Sequence, residues 1–384
     1  MNRLRVGVVG LGAIAQAIHL PNLLRLWDRF EIVHVCDLDD DLASRIASTL
    51  GPAVRSSGDP TAVCDDANVD AILILASGPH APLSSAALDA GKHVFVEKPL
   101  SLTVAEATQL GQAARSVERV VQVGYMKLYD PVVPKAMAEA QSIADPRLLR
   151  ITVLHPTEAS QQRHLSIRRS RVPAAALDAS RAYEAEMTRL AIGDLPPQFG
   201  WLYRDVALGS MIHQVALARR LAGRLPQDVL FADAWPFDGE QPGAPRGDPP
   251  TIVAMGEIAP GFRLELDWVW LPADLDYSER YELFGPDARL SLEMPTPYAL
   301  DQRAVLRIER STDSERSATR TVADYRTGFQ AELEAFHDAV TAGPPFPSGA
   351  DEAADDTRFL QRLVAHLANR RGFAAGGEAG IAPR

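Results

Sequence analysis

The chain is poor in cysteine, in positive charge and in long apolar runs. Two cysteines in 384 residues, Cys36 and Cys64, cannot build a disulfide framework. Cys36 falls inside a run that reads as a buried strand, so it is expected to pack as a small apolar side chain in a reducing compartment, the cytoplasm. Lysine and arginine together number 39 against 50 aspartates and glutamates, a formal net charge of −11. That balance argues against nucleic acid or an anionic membrane as a partner. The apolar runs are strand length, so no helix is expected to span a membrane. A strand pattern begins within about four residues of Met1, so no secretory leader is expected. HExxH, CxxC and HxxxH at helical pitch are all missing, and no metal site is expected. No internal repeat is visible. What remains is a globular chain, 46% hydrophobic, long enough for two cores.

The first 125 residues alternate short β-branched runs with amphipathic stretches. Strands are expected at Arg5–Val9, Glu31–Cys36, Ala71–Leu75, His93–Val96 and Val120–Val123. Helices are expected between them, including Ala13–Trp27 with a kink or break at Pro21 and Val104–Arg115 capped by Ser101 or Thr103. Continuous apolar strands separated by helices imply a parallel sheet covered on both faces, the doubly wound α/β Rossmann architecture. Residues 126–350 read differently, as consecutive strands from Leu148 to Leu292 with an inserted helix near Asp205–Leu221. They are expected to form an α+β domain with a large, mostly antiparallel, open-faced sheet. Helices near Phe329–Ala342 and 351–370 follow, the last a candidate to pack on the first domain. The Gly-rich tail 371–384 is expected to be disordered.

Gly10, Gly12, Ala13, Ile14 and Ala15 spell GxGxxA directly after the first strand and at the start of a helix. The first glycine permits a tight turn, the second lets backbone approach a pyrophosphate, and Ala15 allows close helix–strand contact. Asp37 ends the second strand, where a carboxylate can accept from the adenosine ribose hydroxyls. The residues that follow it are acidic, with no arginine beside them in sequence. A 2′-phosphate would be repelled there, so NAD is expected rather than NADP.

The run VFVEKPL puts Glu97, Lys98 and Pro99 at the end of an apolar strand. Ligands of open α/β sheets sit beyond the carboxyl ends of the strands. Lys98 can therefore point into the dinucleotide cleft, where partial burial lowers an ammonium pKa and suits it to proton handling. The alternative is a structural Glu97–Lys98 ion pair at a strand end.

The stretches VGVVGLGAIAQ, HLPNL, VCDLD, PHAPLSSAALDAGKHVFVEKPL and VGYMKLYDP together resemble the Gfo/Idh/MocA family, the glucose–fructose oxidoreductase and inositol dehydrogenase group. YELFGPDARLSLEMPTPY and FQAELEAFHDAV extend the likeness more loosely, and Pro156–Gly200 is the least similar part. The resemblance implies that Lys98 is an active-site lysine oriented by Glu97, and that Ser77 and His80 stand at nucleotide-side positions. His80 also reads as a structural histidine. The family pattern D-S-x-I-H-x-x-D-x-x-R falls on Gly209–Arg219. Ser210, Ile212, His213 and Arg219 match, while Gly209 and Ala216 replace the two aspartates. His213 is then the expected base, since a neutral imidazole near pH 7 can take a hydroxyl proton. At α-helical pitch Asp205 lies about 80° round the helix from His213, and helix capping is its expected role. Met126 joins the cofactor-side candidates. Lys127, Tyr129, His155, Tyr203 and Ser210 join Lys98 and His213 as substrate-side candidates. The Arg-rich stretch QQRHLSIRRSR (161–171) reads either as a lid gripping a substrate phosphate or carboxylate or as solvated surface.

The expected activity is that of an NAD-dependent dehydrogenase or reductase of a sugar, cyclitol or derivative. The resemblance implies a homodimer or homotetramer joined through the open sheet face, where a wide apolar surface would need cover. Two rivals stand beside it: a redox-neutral enzyme that oxidises its substrate transiently, and a catalytically silent NAD-binding protein.

Overall fold

The computed structural model describes residues 3–237, 248–299 and 302–380. The chain forms two compact units. The first takes the chain through Met126 together with Leu165–Met187 and Phe329–Ala354. The second takes Lys127–His164, Thr188–Gly328 and the chain from Asp355 onward.

The first unit opens with β1 (Leu4–Val9), a π-helical turn at Ala15–His19 and α1 (Leu20–Arg25). There follow β2 (Phe30–Cys36), α2 (Asp40–Leu50), β3 (Arg55–Ser57), α3 (Pro60–Cys64), β4 (Ala71–Ile74) and α4 (Ala81–Asp89). The series ends with β5 (His93–Glu97), α5 (Val104–Ser116) and β6 (Val121–Gly124). The six strands run parallel in the order β3-β2-β1-β4-β5-β6. That is the doubly wound order, and it places the crevice where the order reverses, between β1 and β4. The strands are apolar on both faces because helices cover both. Val6, Val8, Leu73 and Phe95 are buried in a core that also takes in Leu333 and Phe336 from a late helix. Thr103 caps α5, and Glu106 returns the bond to its backbone, a capping box. The helix expected over Ala13–Trp27, with a kink or break at Pro21, runs from Ala13 to Arg25 with a π-helical turn at Ala15–His19 just ahead of the proline. Pro21 lies in the first turn of α1, where its missing N–H costs little.

Beyond Met126 the chain gives α6 (Val133–Ser142), β7 (Leu148–His155), α7 (Glu158–Gln162) and α8 (Ala174–Ile192). Next come α9 (Pro197–Trp201), a π-helical segment Leu202–Met211 and α10 (Ile212–Ala222). The strands β8 (Val229–Trp235), β9 (Thr251–Ala259), β10 (Phe262–Trp270), β11 (Ser278–Phe284), β12 (Ala288–Met294), β13 (Val305–Ser311) and β14 (Arg316–Val322) follow. The chain closes with α11 (Gly328–Ala342) and α12 (Ala350–Arg370). The eight strands of the second unit lie in the order β14-β13-β12-β11-β7-β10-β9-β8, antiparallel except for the β7/β10 pair. Along β10, Phe262, Leu264, Leu266 and Trp268 are buried while Arg263, Glu265 and Asp267 alternate with them on the other face.

Three expectations change. The outward sheet face is not broadly apolar: ion pairs cross it, among them Arg150–Glu265, Arg263–Glu257, Arg280–Glu293 and Arg307–Glu293. Asp205 does not cap a helix, because the helix starts earlier and Asp205 sits exposed inside the π-helical segment. The tail is docked as far as Gly380. Phe373 meets Phe199 with ring centroids 5.7 Å apart, Gly376 donates to the Ile192 carbonyl at 3.0 Å, and Glu378 accepts from Gln361 at 2.7 Å. Residues 381–384 lie outside the described residues. Among the described residues no helix is long and apolar enough to cross a membrane.

Candidate active site

The carboxyl ends of β1, β2, β4 and β5 lie along one edge of the parallel sheet and carry most of the sequence-derived cofactor candidates. Gly10 follows β1 with φ +90°, and a Cβ there would fall 2.3 Å from the Ala76 backbone, so only glycine fits. A Cβ on Gly12 would meet nothing within 4 Å. That open cradle, beside the N-terminus of the helical turn carrying Ala13 and Ile14, is what a pyrophosphate needs. Ala15 is fully buried against the sheet. Asp37 is buried just past β2, and its Oδ2 accepts the Leu11 N–H at 2.9 Å. Its Oδ1 accepts the Asp39 N–H at 3.0 Å. The turn and the carboxylate therefore fit a dinucleotide.

Ser77 is exposed in the loop after β4. His80, at the start of α4, is buried. Its Nδ1 lies 2.7 Å from the Pro99 carbonyl and its Nε2 lies 2.6 Å from the Ala76 carbonyl. The ring thus ties the loop after β4 to the loop after β5.

Glu97 ends β5 with its side chain buried. Its Oε1 meets His19 Nε2 at 2.8 Å, and its Oε2 accepts the Lys98 N–H at 3.1 Å. Burial pushes the carboxyl up, but the hydrogen bond and charge of His19, with Lys98 and His80, outweigh it and hold the pKa below its ordinary value. The carboxylate fixes the backbone at Lys98, which is half-buried and joined to Pro99 by a cis peptide. Glu332 on α11 lies fully buried near this group. Burial first and the Glu97 charge second push its carboxyl well above the ordinary range. Sequence reasoning missed both His19 and Glu332. The only signal for His19 was its place in HLPNL, and Glu332 had none.

The remaining candidates run from the end of the first unit into the second. Met126, the last residue of the first unit, opens a 3₁₀ turn at Met126–Tyr129 and is buried. Lys127, in that turn, forms a buried ion pair with Glu279 of β11 and lies 3.2 Å from the Tyr277 hydroxyl. Glu279 also accepts from Tyr277, Tyr281 and, at 3.0 Å, Gln214. Burial pushes the Glu279 carboxyl up, but the charge and hydrogen bond of Lys127 and the Tyr277 and Tyr281 hydroxyls bring it below its ordinary value. Burial and the Glu279 charge push both phenols well above theirs. Tyr129 is half-buried.

His155 ends β7 in an aromatic surround. Its ring centroid is 4.9 Å from Trp268, 5.7 Å from Trp270 and 5.6 Å from Tyr277. Trp268 Nε1 donates to Ser210 Oγ at 3.0 Å. These contacts link Ser210, His155 and Lys127 in one array. His213, half-buried in the first turn of α10, stands next to Gln214 of the same array. Tyr203 is fully buried in the π-helical segment. That segment also carries Gly209 and Ser210, so the α-helical pitch used to place Asp205 against His213 does not apply. Arg219 pairs bidentately with the buried Asp356, at 2.7 and 3.1 Å, and ties α10 to α12.

The Arg-rich stretch divides. Gln162 and His164 contact Tyr298 in the second unit, while 165–171 belong to the first. There, Ser170 Oγ donates to Asp37 Oδ1 at 2.7 Å. The backbone of residues 168–171 thus passes beside Asp37 and Asp39, the Arg171 N–H donating to Asp39 Oδ2 at 2.8 Å.

Residues 4–125 match the Gfo/Idh/MocA model, an oxidoreductase family with an NAD-binding Rossmann fold. The chain is 27% identical over 354 residues to a myo-inositol 2-dehydrogenase of Thermotoga maritima, covering 91% of this chain and 92% of that protein. A probable dehydrogenase from Thermotoga maritima superposes with a TM-score of 0.68 at 22% identity, over 98% of this chain and 100% of that one. KijD10, a 3-ketoreductase from Actinomadura kijaniata solved with NADP and TDP-benzene, gives 0.67 at 20% identity, over 97% and 98%. With the Gly-rich turn, the buried Asp37 carboxylate and the Glu-Lys-Pro strand end in place on a doubly wound sheet, residues 4–125 match the Gfo/Idh/MocA oxidoreductase family, NAD-binding Rossmann fold, and the chain as a whole is similar to inositol 2-dehydrogenases.

Proposed function

We propose that this oxidoreductase interconverts a hydroxyl and a keto group on a sugar, a cyclitol or a derivative of one. The observation that carries the reading is Lys98 at the carboxyl end of β5, on the sheet edge that also carries the Gly10–Gly12 turn and Asp37. Gly10, Gly12 and the helical turn behind them would hold a pyrophosphate, and Asp37 would accept from an adenosine ribose, which favours NAD. When bound, the dinucleotide supplies the hydride acceptor or donor. Glu97 and His19 fix the backbone that carries Lys98, whose ammonium orients the substrate hydroxyl. His213 takes the hydroxyl proton in oxidation and returns it in reduction. The names of the relatives, inositol 2-dehydrogenase and 3-ketoreductase, support a polyhydroxylated substrate. The same reading has the protein act in the cytoplasm as a homodimer or homotetramer, which light scattering on the purified chain checks.

The test is NADH formation from NAD over a panel of inositols, hexoses and nucleotide sugars. Lys98→Ala and His213→Ala are each expected to lower kcat by about 10²–10⁴-fold while NAD still binds. Turnover unchanged in both variants refutes the assigned roles. Product formed without net NADH points instead to the redox-neutral reaction.

A further inference from the structure

The segment Leu165–Met187 belongs to the first unit, yet none of its residues is buried. Hydrogen bonds, not a shared core, hold it there. At one end Gln16, in the helical turn after the Gly-rich loop, grips the Arg168 peptide. Its Oε1 accepts the N–H at 3.0 Å and its Nε2 donates to the carbonyl at 2.7 Å. Ser170 Oγ donates to Asp37 Oδ1 at 2.7 Å, and the Arg171 N–H donates to Asp39 Oδ2 at 2.8 Å. At the other end α8 lies against the loop after β4, where a Cβ on Gly78 would fall 2.9 Å from Ser180 Oγ. One turn further on, the Tyr183 hydroxyl donates to Glu106 of α5.

These anchors stand on opposite sides of the reversal in strand order. Gln16, Asp37 and Asp39 follow β1 and β2, whereas Gly78 and Glu106 follow β4 and β5. The segment therefore spans the crevice between β1 and β4, at the carboxyl edge where ligands of such sheets lie. A dinucleotide held by the Gly10–Gly12 turn has to share that crevice with it. The two also meet at one carboxylate. A carboxylate offers about four lone-pair positions. Asp37 accepts from the Leu11 and Asp39 backbones and from the Ser170 hydroxyl, whereas a ribose diol asks for two places. The two backbone donors belong to the turns that build the site. The Ser170 bond is the one that a ribose hydroxyl can replace, and the exchange keeps the number of hydrogen bonds on Asp37 unchanged. A segment with no buried residue opens locally at a small fraction of the global unfolding free energy, so the rest of the fold does not resist its release.

We infer that Leu165–Met187 is a strap closing the crevice of the free protein, with the Ser170–Asp37 bond as its latch, and that the dinucleotide opens it by putting a ribose hydroxyl in the Ser170 place. The inference rests on the dinucleotide use proposed above. The test follows amide hydrogen exchange by mass spectrometry in peptides spanning 165–172, with full-length protein, free and saturated with NADH or NADPH, whichever binds more tightly. The Arg168 and Arg171 amides are hydrogen-bonded in the closed strap, and their exchange is expected to speed up by about tenfold or more when the nucleotide is bound. Ser170→Ala removes the latch and leaves the Asp37 carboxylate in place. A thermal melt verifies its fold. It is expected to exchange faster in these peptides without nucleotide, and to bind the nucleotide about threefold to tenfold more tightly in a fluorescence titration, because a closed state no longer competes. Two results overturn the latch while nucleotide binding stands. One is exchange in 165–172 that is unchanged or slowed by the nucleotide. The other is an affinity in Ser170→Ala that is unchanged or weaker, which would make Ser170 a bystander or a clamp. A native chain that binds neither nucleotide removes the dinucleotide reading and the latch together.

Discussion

Asp130 is a buried carboxyl whose ionisation the fold opposes, and replacing it with asparagine gives a sharp test of the second unit. It lies just before α6 with little exposure, and its Oδ1 accepts the Val132 N–H at 3.0 Å. Burial raises its pKa from 3.8 to about 6. The Val132 bond pulls the other way, and the Asp324 charge adds to the rise. A carboxyl with a raised folded-state pKa supports the fold while protonated. That support is complete below about pH 4 and is lost as pH rises through about 6. A shift of roughly two units at about 1.4 kcal/mol each makes the loss about 3 kcal/mol by pH 7. Asp130→Asn keeps an oxygen for the Val132 N–H and cannot ionise. Denaturant unfolding of both proteins between about pH 3.5 and 8 should give stabilities that differ by a constant at the acid end. They should then diverge by about 3 kcal/mol in favour of the variant by pH 7. Curves that stay parallel across that range would refute the claim that Asp130 titrates against the fold.

Other substitutions separate packing from binding. Gly10→Ala drives a Cβ into the Ala76 backbone at a positive φ, so it should cost about 1–3 kcal/mol or more and lower the thermal midpoint. Gly12→Ala meets no protein atom within 4 Å. It should leave stability within about 0.5 kcal/mol yet weaken dinucleotide binding in a calorimetric titration. Equal melting losses in both variants would mean that Gly12 serves the fold alone. Glu279→Gln strands the buried Lys127 ammonium and should cost about 3–5 kcal/mol in denaturant unfolding. A cost within about 0.5 kcal/mol would show that the pair is not desolvated as its burial implies.

Much of the parallel sheet was legible because β1, β2, β4, β5 and β6 are short apolar runs punctuated by turns. β3 was not, since Arg55–Ser57 is three residues long and carries no apolar side chain. β14 escaped for a related reason: positions 316–320 of this outermost strand are all exposed, so no alternation of buried and exposed residues marks it. α8 has only Thr188, Ala191 and Ile192 buried, all at its carboxyl end, so it carries no apolar stripe to read. α6 was masked by Pro131 and Pro134, which sit where a helix start tolerates them.

The site divides along the same line. Gly10, Gly12, Asp37, Glu97 and Lys98 were legible because each belongs to a contiguous motif whose geometry is local. The distant hydrogen-bond partners of these residues and of Lys127 were not. Ser170 is 133 residues from Asp37, His19 is 78 from Glu97, and Glu279 is 152 from Lys127. The expectation of NAD over NADP counted charges beside Asp37 along the chain. Screening in solution acts over about 8–10 Å of space, and within that radius a returning segment counts as fully as a neighbouring residue. A charge argument confined to the end of β2 holds only when no other segment crosses it. Here one does, the Ser170 hydroxyl donating to Asp37 and the Arg171 N–H to Asp39, so the residues next to Asp37 in sequence do not by themselves decide between NAD and NADP.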